Sequence, residues 1–315
     1  MAALSQRTWA NLRAGEILVG AMIGVGVFGL PFAFARSGFF VGMVELLLLG
    51  LATMSVHLMY AEVALQTPGH HRIVGYFKRY FSKRWAHVAA LIFVGGNWGA
   101  LVAYILVGGD FLHSLFAPWF GGPTMAYQAV FLVFGLLMAL GGLRFVAGAE
   151  MYLVGLLVLV MGGIIIWGAT DIHIEALLTF NGSRALFPYG VVLFSLGGFG
   201  AIPQMRDVLG RYRGDLRGVV VKSTSLVMVL YALFAMVVVG VTGAVTTPEA
   251  LAGLEGVFGR GMLVAGVLMG FLAVATSFLV MSVEIQETFE FDYRWTKILA
   301  WFGMMIVPVV IFLLG

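Results

Sequence analysis

The chain is a succession of long apolar runs separated by short stretches that hold most of its charged residues. A bilayer core about 30 Å thick takes roughly 20 apolar residues of helix to cross. That window predicts nine spans, near 15–37, 39–65, 85–116, 124–143, 147–170, 185–203, 219–243, 261–283 and 296–315. The expected fold class is all-α, a polytopic membrane protein in one domain, 1–315. Loop charges orient it, because cytoplasmic loops collect Lys and Arg. With the N-terminus inside, only Arg36, Arg184 and Arg260 of the 18 basic residues fall outside. Trp85, Trp119, Trp167 and Trp295 fall near span ends, where amphipathic rings favour the interface.

Composition agrees with this pattern and removes alternatives. Of 315 residues, 61% are hydrophobic and 10% charged, against about 25% charged in soluble domains. A mean hydropathy of +1.03 excludes a water-soluble globule and a disordered chain. The pI of about 9.2 fits contact with an anionic inner leaflet and gives no ground for a nucleic-acid partner. With no cysteine, thiolate metal sites and cysteine nucleophiles are excluded. No cleavable signal peptide is expected, since the first span is long and interrupted by Gly and Pro.

Glycine is the anomaly, at 43 residues in a chain of helices. The first span reads GAMIGVGVFGLP, with Gly20, Gly24, Gly26 and Gly29 before Pro31; the sixth reads YGVVLFSLGGFGAIP, with Gly190, Gly197, Gly198 and Gly200 before Pro203. Glycines at about 1 kcal/mol each and a proline at about 3 leave either segment about 7 kcal/mol behind an alanine helix. Backbone freed by such a break cannot face lipid and must be buried or line a wet cavity. For one span alone, close packing through Gly20 and Gly24 at small-xxx-small spacing would be the plainer explanation. Here Phe28-Gly29-Leu30-Pro31 and Phe199-Gly200-Ala201-Ile202-Pro203 recur at an offset of 171 residues. They also open two five-span units of opposite topology. Paired interrupted spans at matching positions point to the midplane site of a secondary transporter. A broken helix offers N–H groups and a positive dipole end on one side, carbonyls and a negative end on the other. A zwitterion fits that arrangement. No Asp, Glu, Lys or Arg lies within either break, which suits a neutral amino acid.

The first two spans, GVGVFGLPFAFARSGFFVG running on to YAEVALQTPG, resemble the opening of the amino acid/polyamine/organocation superfamily. They are closer to its amino acid/auxin permease branch, including bacterial aromatic amino acid permeases. AYILVGGDFL (Ala103 to Leu112) and FPYGVVLFSLGGFGAIPQMRDVL (Phe187 to Leu209) are similar to that branch too. The resemblance implies a leucine-transporter-like fold of 5+5 inverted repeats with discontinuous first and sixth helices, working by alternating access. It places the substrate backbone site on Ile23, Gly24, Val25, Gly26, Val27 and Phe28, and on Ser195, Leu196, Gly197, Gly198 and Phe199. Phe28 and Phe199 would gate the pocket or line it for an apolar side chain; ordinary packing is their plainer role. Asn97 and Tyr104, seven apart and so on one helical face, would close the pocket. A bridging Asn97 and a packed Tyr104 are the alternatives.

No cofactor is expected beyond a coupling ion, Na+ or H+. Gly266, Gly270, Ala273 and Ser277 form one small-residue face of the eighth span, suited to close helix approach. By resemblance, Thr276 and Ser277 would bind Na+ together with first-span carbonyls at Ile23 and Gly26; bonds to their own helix are the alternative. Proton-coupled relatives can place a Lys in the fifth span, and residues 147–170 hold none. Intramembrane acids are functional candidates by default. Glu45 lies deepest and is the proton candidate, ahead of Asp110 and Glu150. Glu62 and the group Glu284, Glu287, Glu290 and Asp292 are expected at the inner surface, pairing with basic loops.

The resulting expectation is a cation-coupled secondary transporter of a neutral amino acid, aromatic or branched, in the inner (cytoplasmic) membrane. Its partners are that substrate and the lipid bilayer, with no obligate protein partner. An amino-acid sensor or a passive channel is the alternative. A membrane-embedded enzyme is not expected: Val107 stands where a G-x-G-D motif before Asp110 needs glycine, and His70-His71 has no acid beside it. The first repeat covers about 15–170 and the second about 185–315, about one helix short, so a tenth span is expected to be missing.

Overall fold

The structure is a computed structural model that describes residues 5–248 and 250–314; the remainder of the 1–315 domain lies outside the described residues. In chain order the helices are α1 (Gln6–Met22), α2 (Gly26–Ser37), α3 (Phe39–Gln66), α4 (Ile73–Tyr80), α5 (Lys83–Phe120), α6 (Thr124–Leu140) and α7 (Gly142–Gly168). They continue as α8 (Ile174–Leu177), α9 (Tyr189–Ser195), α10 (Ala201–Leu209), α11 (Leu216–Thr242), α12 (Leu251–Phe258), α13 (Arg260–Glu287) and α14 (Lys297–Leu314). Among the described residues there is no strand. Helix coincides with each of the nine stretches expected from hydropathy, and the chain is a multi-pass membrane protein.

Two of those stretches are interrupted. The α1–α2 pair bends by 55° at Ile23–Val25. The sixth stretch differs from the expected 185–203: helix starts at Tyr189, breaks over Leu196–Gly200 and resumes to Leu209. Pro203 lies in the first turn of α10, where its missing N–H has no partner to lose. A proline that reads as a stop in the sequence is therefore part of a helix start. Pro31 likewise lies inside α2.

Burial sorts the helices into centre and periphery. In α13, 72% of the most apolar window is buried inside the protein, against 17% in α3. The small-residue face of α13 explains its position: a Cβ on Gly270 would enter the Phe111 ring of α5, and Ser277 donates to the Gly20 carbonyl of α1 at 3.0 Å. One apolar core joins α1, α2, α7, α10, α11 and α13; a second joins α5, α6, α13 and α14. Trp98 Nε1 donates to the Met304 carbonyl at 3.0 Å and Trp301 Nε1 to the Leu136 carbonyl at 3.1 Å, holding α14 to α5 and α6.

The end of the molecule that carries most basic residues is closed by ion pairs. Arg72, 2% exposed, donates through Nη2 to Glu287 at 2.6 Å and to Asp207 at 2.9 Å, tying the start of α4 to α13 and α10. Burial disfavours its charge, but Glu287 and Asp207 outweigh that and hold the guanidinium above the ordinary arginine pKa. Asp292 accepts from the backbone N–H of Arg72 and Gly75 at 3.1 and 2.7 Å, and Arg206 caps the Gly69 carbonyl at 2.7 Å. Glu62 pairs with Arg217.

Candidate functional site

The two breaks meet face to face. A Cβ on Gly26 would strike the Ser195 hydroxyl and lie 3.1 Å from Ser195 Cα; one on Gly198 would lie 2.9 Å from Met22 Cγ. Glycine at these positions lets two irregular segments touch, so each covers backbone that the other leaves exposed. Tyr231 of α11, fully buried, reaches both: its hydroxyl lies 2.6 Å from the Met22 carbonyl and 3.0 Å from the Ser195 carbonyl. With one proton it donates to either carbonyl in turn. A tyrosine within an apolar run looks like packing, and no sequence signal marks this role.

A cavity of about 210 Å³ opens beside the contact. Of the residues expected at the substrate site, Gly24, Gly26, Asn97, Tyr104, Ser195, Gly197, Gly198 and Phe199 line it. Ile23, Val27, Phe28 and Leu196 do not: their side chains are in the first apolar core, while half-buried Val25 packs on the second. Phe28, 6% exposed, lies between Phe111 and Phe234 at centroid distances of 6.0 and 6.3 Å. Phe199, 42% exposed, packs on Phe93 and Tyr60 and borders the cavity. Phe93, Phe194, Met22 and Met281 complete an apolar wall.

Glu284 corrects the expectation that places it at the inner surface with Glu287 and Asp292. It is buried and lines the cavity, where Asn97 Nδ2 donates to Oε2 at 3.3 Å. A Cβ on Gly200 would lie 2.6 Å from its Cδ, so the carboxyl group sits against the N-terminal turn of α10. The Ala201 and Ile202 N–H groups already bond the Gly198 and Phe199 carbonyls at 3.0 and 3.1 Å, so it is the positive dipole end of the helix that faces the carboxyl group. The α2 N-terminus, at Gly24–Gly26, borders the cavity without such an acid among the described residues.

The candidate cation residues lie just below the first break. Thr276 and Ser277 are fully buried; Ser277 donates to the Gly20 carbonyl, and Thr276 to the Ala273 carbonyl of its own helix at 3.1 Å. Their lone pairs stay free for a hard cation, so the pair fits Na+ chemically. Glu45 on α3 is half-buried with Oε2 unpartnered, and it is not among the cavity residues. Asp110 accepts from Gln128 at 3.0 Å near the opposite end. Glu150 of α7 reaches the same glycine from the other side: a Cβ on Gly20 would collide with its carboxylate and lie 3.4 Å from Thr276 Cβ.

Helices broken in matched places around one cavity define a leucine-transporter-like membrane protein. The chain matches the tryptophan/tyrosine permease family over residues 8–314, and it belongs to that family. No curated protein sequence matches it. Among solved structures it is similar to MhsT in complex with L-phenylalanine, with TM-score 0.73 and 18% identity over 96% of this chain and 78% of that one. It is also similar to Mhp1, a nucleobase-cation-symport-1 family transporter in a closed conformation with bromovinylhydantoin bound. There the TM-score is 0.70 at 12% identity, over 96% of this chain and 71% of that one. At such identities the likeness shows the fold.

Proposed function

We propose that this chain is a cation-coupled secondary transporter of a neutral aromatic amino acid, working by alternating access. The observation that carries the reading is the single cavity on which both breaks converge. It has a free helix N-terminus for a carboxylate on one side, and a buried acid and an aromatic wall on the others. Its volume lies below the 300–1,000 Å³ of drug-sized pockets, in keeping with one amino acid. Rings of Phe93, Phe194 and Phe199 favour an aromatic side chain by offset or edge contacts. Membership of the tryptophan/tyrosine permease family, and the phenylalanine held by MhsT, support the same substrate class.

The substrate carboxylate would meet the N–H groups of Val25 and Gly26, since that of Gly24 bonds the Met22 carbonyl, and its ammonium the carbonyl ends of α1 and α9 or the Glu284 carboxyl. The coupling ion is Na+ at Thr276 and Ser277 or H+ at a buried acid. The excess of basic residues at one end supports an inner-membrane protein with its N-terminus in the cytoplasm. The two interrupted halves support a division into inverted repeats at about 15–170 and 185–315, and the motifs shared with the amino acid/auxin permease branch support placement there. A screen of the standard amino acids against the purified chain, with and without Na+ at acid and neutral pH, tests this. Trp, Tyr or Phe should stabilise it, by about 2.7 kcal/mol at a hundredfold excess over Kd, and Arg and Glu should not. Binding by none of them overturns the reading. Binding without uptake into liposomes would make the chain a sensor, and uptake indifferent to collapsed ion gradients a passive channel.

A further inference from the structure

We propose that Glu150 is a proton-binding site that joins a vestibule at the basic end of the molecule to the first helix break, with Glu16 as the group between them. The inference deepens the transporter reading and rests on it for the role of the proton, though not for the site itself. Glu150 is fully buried, and neither of its carboxyl oxygens has a partner among the described residues. An ionised carboxylate so placed is strongly disfavoured unless a cation or a proton meets it. Glu16 lies one turn before Gly20 on the face of α1 that the Glu150 carboxyl group meets, and Glu16 Oε2 is itself buried and unpartnered. Two carboxyl groups one turn apart along that face cannot both ionise without cost, which favours a proton held between them.

A cavity reaches to within one helical turn of both acids. This second cavity, about 800 Å³, is lined by Arg13 of α1, Ala147 of α7, Asp207 of α10 and Glu287 of α13. Arg13 lies one helical turn before Glu16 and Ala147 one turn before Glu150. The two acids are therefore the next polar layer above the vestibule floor. The other charged groups that packed helices bring to this end are committed elsewhere or face solvent. Asp207 and Glu287 hold Arg72, Glu284 faces the substrate cavity, Arg206 bonds loop carbonyls and Lys222 is exposed; Arg13, in the vestibule wall, is the one cation among the described residues whose charge reaches Glu16, and it favours the ionised form there against the burial that disfavours it. Thr276 and Ser277 direct their hydroxyl protons to the Ala273 and Gly20 carbonyls, away from Glu150.

The consequence for α1 is electrostatic. The carboxyl group touches Gly20, two residues before the last residue of α1, where the helix dipole is negative. A neutral acid is tolerated against that end; a carboxylate repels it. In the step, a proton from vestibule water passes by way of Glu16 to Glu150, giving a neutral carboxylic acid and letting α1 close on α7. Its return to water restores the carboxylate and loosens the same contact. Gly20 is the position that admits this approach.

The test uses the full chain in liposomes and two readouts. Infrared difference spectra across a pH titration should show a protonated carboxyl band that disappears in Glu150→Gln and shifts in Glu16→Gln. The second readout is uptake of whichever amino acid binds, under an imposed pH gradient. One pH unit can sustain up to about tenfold accumulation per proton. Glu150→Gln should lose that accumulation while still binding and exchanging substrate, and Glu150→Asp, which keeps the acid, should retain part of it. A band unchanged in Glu150→Gln, a band removed by Na+ at fixed pH, or gradient-driven accumulation equal to wild type would each overturn the proposal. A wild-type chain that shows the band but binds no amino acid would overturn the transporter reading and leave the proton site standing.

Discussion

The two breaks lie beside similar Gly/Pro strings, Phe28–Pro31 and Phe199–Pro203, and do different work. At Ile23–Val25 the interruption spans three residues, both flanking helices are sunk in the core, and the N-terminus of α2 is left free toward the cavity. At Leu196–Gly200 the interruption spans five, its aromatic flanks Phe194 and Phe199 are partly exposed, and the N-terminus of α10 already holds Glu284. Similar Gly/Pro punctuation thus gives one anchored break with an open helix N-terminus and one looser break whose helix N-terminus is covered by a carboxyl group of the protein itself. What differs is the neighbourhood that each break meets, chiefly α13.

The sharpest way to break the comparison is to put a side chain into each contact. Gly26→Leu must displace backbone, since a Cβ there lies 3.1 Å from Ser195 Cα, and it should abolish amino acid binding with the protein still membrane-inserted. Gly198→Leu meets side-chain atoms only, Met22 Cγ at 2.9 Å and Leu18 Cδ1 at 3.1 Å, with no backbone to displace, so binding should be weakened and not lost. Equal effects in a direct binding assay would remove the distinction between an anchored and a loose break. The equivalent aromatic pair gives the next largest effect. Phe28→Ala empties a packed site and should cost about 3–5 kcal/mol of stability, whereas Phe199→Ala should barely move the melting temperature and should change which side chains bind. Thermal denaturation together with competition between aromatic and aliphatic amino acids separates the two.

The sequence shows the breaks because glycine and proline act locally, through backbone freedom and a missing N–H. Asn97 and Tyr104 are legible for a similar reason: polar groups two turns apart in an apolar span mark one face, and both line the cavity. Which of the break residues face that cavity is not legible, since Ile23, Val27 and Leu196 turn into the core only because of what packs around them. Glu284 is hidden by a boundary. Hydropathy ends the eighth span at 283, whereas α13 runs to Glu287 and continues as a π-helical turn over Thr288–Asp292, which moves an apparent surface acid inside. Glu150 is hidden by tertiary pairing, because its significance depends on Gly20 and Glu16, more than a hundred residues away in the chain.

The smallest expected effect tests the covered helix N-terminus itself. An ionised Glu284 would give the cavity that the α2 N-terminus also lines a negative group, an arrangement that orients a zwitterion and disfavours an amino acid whose ammonium is blocked. Glu284→Gln keeps an oxygen for Asn97 and about the same volume, and removes only the charge from the N-terminal turn of α10. A charge at a helix terminus is worth about 0.3–2 kcal/mol, or about 2- to 30-fold in affinity. The preference for a free amino acid over its N-acetyl derivative should narrow by that factor in the variant, measured by direct binding. An unchanged preference would mean that Glu284 serves only to neutralise α10, and that the ammonium rests on the carbonyl ends of α1 and α9. The two breaks would then divide the substrate between them without help from any side-chain charge.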